Sequence, residues 1–348
     1  MTDVAPEAKL LELLGGKWIT QAVSTAAALG VPDALMAGSL TDDALATAVG
    51  CEPTRLARLT SVLVGLGVLT RDHVGATDRV GLTEMGRALC QDRLGKLAAF
   101  VGEPSQWDPW ARLRDALEDR ENPARTAFER THGAGLFDYL GAPDPAAVAV
   151  SARYDAAVDA FTRQEARALA EAEDFSAGGV LVDLGGGHGT LLTEVLAGWP
   201  ALSGVLYDLP HVAEASGPRL QEALGARVRA EGGDFHASVP AGASWYVVRH
   251  VLHNWGDADA TALLARVREA MAPGAKVLVI EGVLLPGDVI DTTRLLDLEM
   301  MVLTDEGRER SKPELRRMFG QAGLKMTRSQ RLAGFSRLFV GERRGDQR

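Results

Sequence analysis

Two histidines in the C-terminal half of the sequence have the chemistry of a general base. His250 and His253 follow an apolar run that begins at Trp245, and carboxylates stand further along the chain at Glu281 and Glu309. A neutral imidazole, with a reference pKa of about 6.5, can take a proton from a reacting hydroxyl near neutral pH. A neighbouring carboxylate would fix the ring tautomer and stabilise the imidazolium that forms. This segment is therefore a candidate catalytic site.

A second candidate site is the glycine-rich segment Asp183-Leu184-Gly185-Gly186-Gly187-His188-Gly189. Glycines let the backbone turn tightly and approach a ligand without a Cβ in the way. A dinucleotide fingerprint that starts at Gly185 requires glycine or alanine at position 190, where Thr190 stands. Asp183, two positions before the first glycine, would lie badly beside a pyrophosphate. The segment therefore predicts a site for a ligand that carries positive charge.

Further acidic residues follow the glycine-rich segment along the chain. Asp208, in Tyr207-Asp208-Leu209-Pro210, stands about 20 residues beyond it, where a carboxylate can accept hydrogen bonds from both hydroxyls of a ribose. Asp234 and Phe235 follow two glycines and offer a carboxylate and an aromatic face suited to an adenine. Three acidic positions at successive strand ends, on the edge that holds the glycines, favour a nucleoside-containing cofactor.

An alternating α/β domain must position these residues, and the pattern over residues 176–348 predicts one. Strands are expected over 180–182, 204–207, 245–251 and 276–283, with helices over 190–198 and 257–271. Strands that alternate with helices favour a parallel, doubly wound, Rossmann-like sheet. Such sheets bind ligands at the carboxyl ends of their strands, and parallel neighbours would bring Glu281 towards His253.

Residues 1–100 show helical periodicity and then two β-like runs, at 68–71 and 79–82, joined by a turn around Gly75. Helix-start signals occur at Thr41-Asp42-Asp43 and Glu52-Pro53-Thr54. Several helices before a small hairpin are typical of a winged-helix domain. Its DNA-binding version would use Arg55 and Arg58, but two arginines on one helix are more often solvated. We favour a dimerisation domain that buries an apolar face of residues 10–30 against a second copy.

Residues 101–175 are predicted to form a helical connector rich in aromatic side chains. Aromatics at helical spacing usually form a core, and they can also wall an apolar pocket. We expect an acceptor pocket to involve the connector and residues that follow the sheet: Trp107, Tyr154, Phe161, His250, Met300, Met301 and Leu303, with Phe335 nearby. Methionines adapt to flat ligands, but a methionine pair is more often ordinary packing.

Composition excludes several other classes of protein. The 348 residues carry a net charge of −10 and are 46% hydrophobic, so a folded chain is expected and a phosphate backbone would be repelled. Cys51 and Cys90 lack a pairing framework, which fits reduced thiols in a cytosol. No signal-peptide pattern or membrane-spanning apolar stretch is present. We expect a cytoplasmic protein without nucleic-acid or membrane partners, and no metal, since His250 and His253 have no third ligand at a suitable spacing.

Together these motifs resemble the S-adenosylmethionine-dependent small-molecule O-methyltransferases, which include plant caffeic acid and isoflavone methyltransferases and bacterial antibiotic-tailoring enzymes. The resemblance covers nearly the whole chain: the N-terminal helices, DLGGGHG, YDLPHV, GGDFH, HNW, KVLVIE and GRERS. It implies a homodimer that uses S-adenosylmethionine, releases S-adenosylhomocysteine and needs no metal. It also implies that His253 is the general base and that Glu281 and Glu309 are its acidic partners.

The cofactor contacts expected from the motifs and the resemblance are Asp183, Gly185, Gly187, Asp208, Leu209, Asp234, Phe235, Arg249 and Trp255. Arg249 stands where the family commonly has lysine, which keeps the charge but changes its geometry. Asn254 stands where the family usually has aspartate, so charge support from that position is lost.

The expected acceptor is a small aromatic metabolite, phenolic or polyketide-derived, methylated on a hydroxyl. Two enzymatic alternatives stay open. One is an N-methyltransferase, for which a general base matters less. The other is a related enzyme that uses the cofactor for decarboxylation, hydroxylation or cyclisation. An alternative of another class is a DNA-binding protein whose methyltransferase-like half senses a metabolite.

Overall fold

The computed structural model describes residues 5–74 and 77–345. The chain divides into two compact units, the first within Met1–Asp108 and Pro143–Phe161 and the second within Pro109–Ala142 and Thr162–Arg348. Across these described residues, no helix combines the length and the apolar character that crossing a membrane requires.

The helices and strands are, in chain order, α1 (Pro6–Leu14), α2 (Gly16–Ala28), α3 (Val31–Ala34), α4 (Asp42–Val49), α5 (Pro53–Gly65), β1 (Leu69–Val74), β2 (Thr77–Leu82), α6 (Glu84–Ala88), α7 (Gly95–Val101), α8 (Pro104–Trp107), α9 (Leu113–Glu118), α10 (Ala127–His132), α11 (Leu136–Leu140), α12 (Pro145–Ala172), β3 (Gly179–Leu184), α13 (Thr190–Gly198), β4 (Leu202–Asp208), α14 (Pro210–Leu224), β5 (Val228–Gly232), β6 (Trp245–Arg249), α15 (Asp257–Ala270), β7 (Lys276–Glu281), α16 (Thr292–Leu303), α17 (Lys312–Gln321), β8 (Leu324–Arg331) and β9 (Arg337–Arg343). Short 3-10 helices cover Asp108–Arg112, Gly225–Arg227 and Leu252–Asn254.

The first unit has the predicted helices and hairpin. The Thr41 side chain accepts a hydrogen bond from the Ala44 N–H at the start of α4, and Glu52 caps α5 in the same way, which confirms both helix-start signals. Strands β1 and β2 pair antiparallel, while the turn expected around Gly75 lies outside the described residues. The buried core of this unit joins residues of α2 to α5 with both strands.

The second unit contains a seven-stranded sheet in the order β5-β4-β3-β6-β7-β9-β8. The five strands from β5 to β7 are parallel, so the predicted Rossmann-like sheet is confirmed. Strands β8 and β9 form an antiparallel addition that the sequence analysis did not predict. Strand β6 ends at Arg249, earlier than predicted, because His250 has a left-handed backbone with φ of 48° that no strand accommodates.

Helices cover both faces of this sheet. Residues of α15 and α17 belong to the hydrophobic cluster on one face, and residues of α12, α13 and α14 belong to the cluster on the other. Successive residues of β3 alternate between them, since Leu181 lies in one cluster and Val182 in the other. Burial on both faces explains why the central strands are apolar without interruption.

Candidate active site

The glycine-rich loop leaves β3 in a conformation that favours glycine. Gly185 and Gly187 have φ values of 69° and 56°, in the left-handed region. The Gly185 N–H donates a hydrogen bond of 2.8 Å to the Tyr207 carbonyl. A Cβ built on Gly185 would lie 3.0 Å from Val251 and 3.7 Å from the Phe235 ring, so the loop lies against both residues.

The carboxylate of Asp208 closes the loop from the neighbouring strand. Its Oδ2 accepts a hydrogen bond of 2.8 Å from the Gly187 N–H, and its Oδ1 accepts one of 2.7 Å from the Leu209 N–H. The structure thus brings together three of the expected cofactor residues. A carboxylate can accept several hydrogen bonds at once, which is what contact with a pair of ribose hydroxyls would require.

Asp183 lies beneath this loop with only 2% of its surface exposed. Within the described part of the chain, its Oδ2 is buried and has no hydrogen-bond partner. Burial raises the pKa of Asp183 to about 7; the charge of Arg249 opposes this shift and that of Asp208 adds to it. A buried carboxylate without a partner is stabilised by a nearby cation. The site therefore fits S-adenosylmethionine, whose sulfonium and ammonium groups are positive.

Aromatic rings lie beside the loop, at the end of β5. The Phe235 and Trp255 ring centroids are 6.4 Å apart with an edge-on geometry, and Trp255 stacks on Phe137 at 6.5 Å. Asp234 is exposed, and its Oδ1 accepts a hydrogen bond of 2.7 Å from the His236 N–H. Phe137 lies in the predicted connector and belongs to no motif, so the sequence gave no indication of its contact with Trp255.

His253 lies in a buried cluster with both of its expected partners. Its Nδ1 is 2.7 Å from Oε1 of Glu309 and 3.8 Å from Oε2 of Glu281. The other oxygen of Glu281 accepts a hydrogen bond of 2.8 Å from the Leu252 N–H. In the described residues, His253 Nε2 has no hydrogen-bond partner. A carboxylate can only accept, so Glu309 holds the proton on Nδ1 and leaves the lone pair of a neutral ring on Nε2.

The electrostatics of this cluster favour a basic imidazole. Burial alone would lower the pKa of His253, but Glu281 and the hydrogen bond and charge of Glu309 outweigh it, so the pKa is raised. Burial raises the pKa of Glu281, against the opposing charges of His253 and His250. The three groups therefore titrate together, and the negative charge of each carboxylate stabilises the imidazolium form of His253.

Glu165, on α12, joins this site without having been predicted. It is fully buried, with Oε2 at 2.5 Å from Nε of Arg249 and Oε1 at 3.0 Å from Nε2 of His250. Burial alone would raise its pKa, yet the charges of His250 and Arg249 lower it to about 2. A single glutamate in an amphipathic helix gives no sequence signal, so only the fold reveals that it fixes two expected site residues.

A third potential metal ligand lies beside the histidine pair, contrary to the expectation from sequence spacing. His250, His253 and Glu281 each offer one ligand atom, and these atoms lie within 4.8 Å of one another. The approach of Glu281 to His253 was predicted from the parallel strands, but its position as a third ligand for both histidines was not. Asn254, where the family usually has aspartate, donates a hydrogen bond of 3.1 Å to the His250 carbonyl.

The residues expected around the acceptor lie in several environments. Met300 and Leu303 are buried in a hydrophobic cluster with residues of α10 and α11, whereas Met301 is 38% exposed. Met301 lines a surface groove of about 530 Å³. The Phe335 ring is 5.8 Å from that of His250. The buried pair thus has a packing role, and an acceptor role for these residues stays a prediction.

Trp107, Tyr154 and Phe161 belong to the first unit, where all three are half-buried. Tyr154 packs edge-on against Phe100, with ring centroids 5.8 Å apart. Packing of this kind is what a helical core requires, and the predicted role of the three residues in acceptor binding remains a prediction.

Comparison with known proteins shows the class to which this fold and site belong. The O-methyltransferase domain family matches residues 110–325, and the O-methyltransferase dimerisation domain matches residues 11–92. The chain therefore belongs to the O-methyltransferase family and is an S-adenosylmethionine-dependent enzyme.

Particular relatives come from bacterial biosynthesis. The chain is 34% identical to a phenazine O-methyltransferase of Lysobacter antibioticus over 92% of this chain and 91% of that protein. The crystal structure of LaPhzM, 32% identical, has a TM-score of 0.82 over 98% of this chain and 100% of that one. An O-methyltransferase from neocarzinostatin biosynthesis, solved with S-adenosylmethionine and 2-hydroxy-5-methyl naphthoic acid, has a TM-score of 0.71 and 31% identity, over 93% and 96% of the two chains.

Relatives at similar distance have other reactions. An 8-amino-8-demethylriboflavin N,N-dimethyltransferase of Streptomyces davaonensis is 33% identical over 85% of this chain and 84% of that protein. Aclacinomycin 10-hydroxylase of Streptomyces purpurascens is 32% identical over 94% of this chain and 87% of that protein. Overall similarity thus does not fix the reaction, and the individual residues of the site must be considered.

Proposed function

We propose that this enzyme methylates a hydroxyl of a small aromatic metabolite, phenolic or polyketide-derived, with His253 as the general base. The observation that carries the proposal is the arrangement around the imidazole. Glu309 holds Nδ1 at 2.7 Å, and Nε2 has no partner among the described residues. A hydroxyl placed at Nε2 could give up its proton as it attacks.

The carboxylates have separate tasks in this mechanism. Glu309 fixes the tautomer by accepting the Nδ1 proton, and both Glu309 and Glu281 stabilise the imidazolium once the acceptor proton has arrived. Glu281 is held in place by the Leu252 N–H at its other oxygen. Because the site is buried, water competes little for the imidazole.

The loop and strand ends would hold the cofactor, which supplies an electrophilic methyl group on sulfur. Asp208 and Leu209 face the loop glycines Gly185 and Gly187, and Asp183 provides a buried negative charge. The remaining contacts that we propose come from Asp234, Phe235, Arg249 and Trp255. Arg249 is already engaged by Glu165, so its charge is positioned before any ligand binds.

The aromatic acceptor is supported by the relatives, whose names specify phenazine and naphthoate substrates. We propose that Trp107, Tyr154, Phe161, His250, Met300, Met301 and Leu303 contribute to its pocket. An N-methyltransferase or a non-methylating enzyme is the alternative, and the dimethyltransferase and the hydroxylase among the relatives support it. The buried His253 cluster favours O-methylation, since an amine acceptor needs a base less.

We also propose a homodimer that forms through the N-terminal helices. Large apolar side chains of α1 and α2 are exposed in the single chain, including Leu11 at 67%, Leu13 at 71% and Trp18 at 68%. A second copy would remove this surface from water, as expected of the dimerisation domain. The cysteines, Cys51 and Cys90, are both free, which supports a reducing compartment such as the cytoplasm.

The test is to incubate the purified enzyme with S-adenosylmethionine carrying an isotopically labelled methyl group and a panel of phenols, hydroxyquinones and aromatic amines. We expect label on an oxygen of one or more phenolic products, located by mass spectrometry and NMR. Label found only on nitrogen would replace the proposal with N-methylation. Cofactor-dependent conversion without label in the product would favour the non-methylating alternative.

A further inference from the structure

Buried carboxylate oxygens without hydrogen-bond partners flank the two histidines of the site. Oε2 of Glu281 and Oε2 of Glu309 are both in this state, as judged over the described residues. Oε2 of Glu281 lies 3.8 Å from Nδ1 of His250 and 3.8 Å from Nδ1 of His253. Two imidazole nitrogens and a carboxylate oxygen around one point are a ligand set that zinc prefers.

We propose that His250, His253 and Glu281 form an inhibitory binding site for Zn²⁺. The ion would be neither a cofactor nor a substrate. It would occupy the position on Nδ1 of His253 that a proton holds in the free site. Glu309, 2.7 Å from the same nitrogen of His253, is positioned to supply a fourth ligand. The inhibitory consequence rests on the proposed function of His253 as the base, whereas the binding itself does not.

The surroundings of His250 orient it as a metal ligand. Glu165 contacts Nε2 of His250 at 3.0 Å, and a carboxylate can only accept a hydrogen bond. Nε2 therefore carries a proton, and coordination falls to Nδ1, the nitrogen that faces Glu281. Metal-bound histidines usually donate their other N–H to a carboxylate in this manner.

The spacing of the ligand atoms needs only a small adjustment. In tetrahedral zinc sites with metal–ligand distances of about 2 Å, neighbouring ligand atoms lie about 3.3 Å apart. The two separations from Glu281 are 3.8 Å and all three ligand atoms lie within 4.8 Å of one another, so the widest separation must shrink by at most about 1.5 Å, shared between two side chains. Two buried carboxylates also match the charge of the ion, so binding leaves a nearly neutral cluster.

Inhibition follows from where the proton of His253 would lie. In the free site Glu309 holds the proton on Nδ1, and the lone pair is on Nε2. Zn²⁺ on Nδ1 needs the lone pair of that nitrogen, so the single proton of the neutral ring moves from Nδ1 to Nε2. A protonated Nε2 cannot accept a proton from an acceptor hydroxyl. The ion would thus stop the reaction without displacing the cofactor.

The test uses the full-length enzyme, freed of metal with a chelator and titrated with Zn²⁺ against a chromogenic chelator. We expect one equivalent to bind in the wild type and affinity to fall by about tenfold or more in His250→Gln and in Glu281→Gln. His73→Gln is the matched control, because His73 is an exposed histidine beside a carboxylate, 2.5 Å from Asp78. It should keep wild-type affinity.

Two further measurements separate the site from general loss of structure. Co²⁺ in place of Zn²⁺ should give the absorption of a tetrahedral centre in the wild type and lose it in both variants. In the wild type, Zn²⁺ should inhibit turnover reversibly while leaving S-adenosylhomocysteine affinity, measured by calorimetry, unchanged.

Equal Zn²⁺ affinity in the wild type and both variants would overturn the site, as would a loss of affinity in His73→Gln of the same size. If one variant fails to fold, the other decides, since Glu281→Gln keeps an oxygen for the Leu252 N–H. Zn²⁺ bound as expected in an enzyme that labels only nitrogen, or that converts an acceptor without labelling it, would refute the proposed function and leave the metal site standing.

Discussion

The cofactor edge, formed by the glycine loop and Asp208, and the histidine cluster, formed by His253, Glu281 and Glu309, lie at strand ends of one sheet but are built differently. The cofactor edge consists of two short segments, the glycine loop after β3 and the end of β4, which are joined through backbone groups such as the Gly187 N–H that donates to Asp208. The cluster is assembled by side chains from separate segments. Local motifs are therefore sufficient to recognise the first, and the second depends on topology.

The two regions also differ in how their charges are balanced. At the cofactor edge, Asp183 is buried with an oxygen that no described group satisfies. In the cluster, one oxygen each of Glu281 and Glu309 also lacks a hydrogen-bond partner among the described residues, but these carboxylates lie beside imidazoles that can carry positive charge, and the pKa of His253 is raised. We propose that a cationic ligand completes the first region and that the second transfers a proton without further rearrangement. Variants should accordingly separate binding from chemistry.

The largest difference between the effect on turnover and the effect on cofactor binding is expected from His253→Ala. Loss of the base should reduce kcat for a phenolic acceptor by about 10²-fold or more, because proton removal then depends on water. Cofactor affinity should stay within about twofold, since the loop glycines and Asp208 are untouched. Single-turnover kinetics and calorimetry with S-adenosylhomocysteine measure the two quantities.

His73→Ala is the control for this comparison, because His73 is exposed and belongs to the hairpin of the first unit. Turnover by His253→Ala equal to that of wild type would remove the general-base assignment. A large loss of cofactor affinity in the same variant would show that the two regions are not separable.

At the cofactor edge, we expect a tenfold effect on cofactor affinity rather than on turnover. Asp183 has a pKa of about 7 without ligand, because burial disfavours its charge. A cationic ligand binds the ionised form and lowers that pKa. As pH falls below about 7, the protonated form predominates, so cofactor affinity should fall by up to about tenfold per pH unit.

The comparison variant is Asp183→Asn, which cannot ionise. Its cofactor affinity should be weaker than that of wild type at pH 8 and nearly constant down to pH 5.5, as measured by calorimetry. Thermal unfolding of both proteins would establish that the fold is retained. A wild-type affinity that is flat between pH 8 and 5.5 would contradict a role for the Asp183 charge.

The same contrast explains what sequence could and could not predict. The loop, Asp208 and the parallel strands were predictable because glycine placement and apolar runs report local backbone requirements. The approach of Glu281 to His253 followed from the rule that neighbouring parallel strands end together, and the structure has it. The place of Glu309 in the cluster was inferred only from family resemblance.

Other features of the structure leave no recognisable signal in the local sequence. Glu165 lies in a long helix among alanines and arginines, and only packing of α12 on the sheet buries it against Arg249 and His250. The antiparallel strands β8 and β9 were missed because β8 is polar and half-exposed, as suits a strand at the sheet edge. The left-handed backbone of His250 is unusual outside glycine and asparagine.

The smallest effect is expected from Glu281→Gln, and it tests whether the cluster acts as a unit. The charge of Glu281 raises the pKa of His253, so its removal should lower that pKa. The base works only when neutral, so kcat/KM rises with pH through this pKa, and the acid limb should move to lower pH. The plateau should fall by less than about tenfold, because Glu309 still holds the ring at 2.7 Å.

Glu222→Gln, an exposed change on α14, should leave the profile unmoved. An unchanged acid limb in Glu281→Gln would show that only Glu309 acts on the pKa of His253. A shift to higher pH would contradict the claim that the charge of Glu281 raises that pKa.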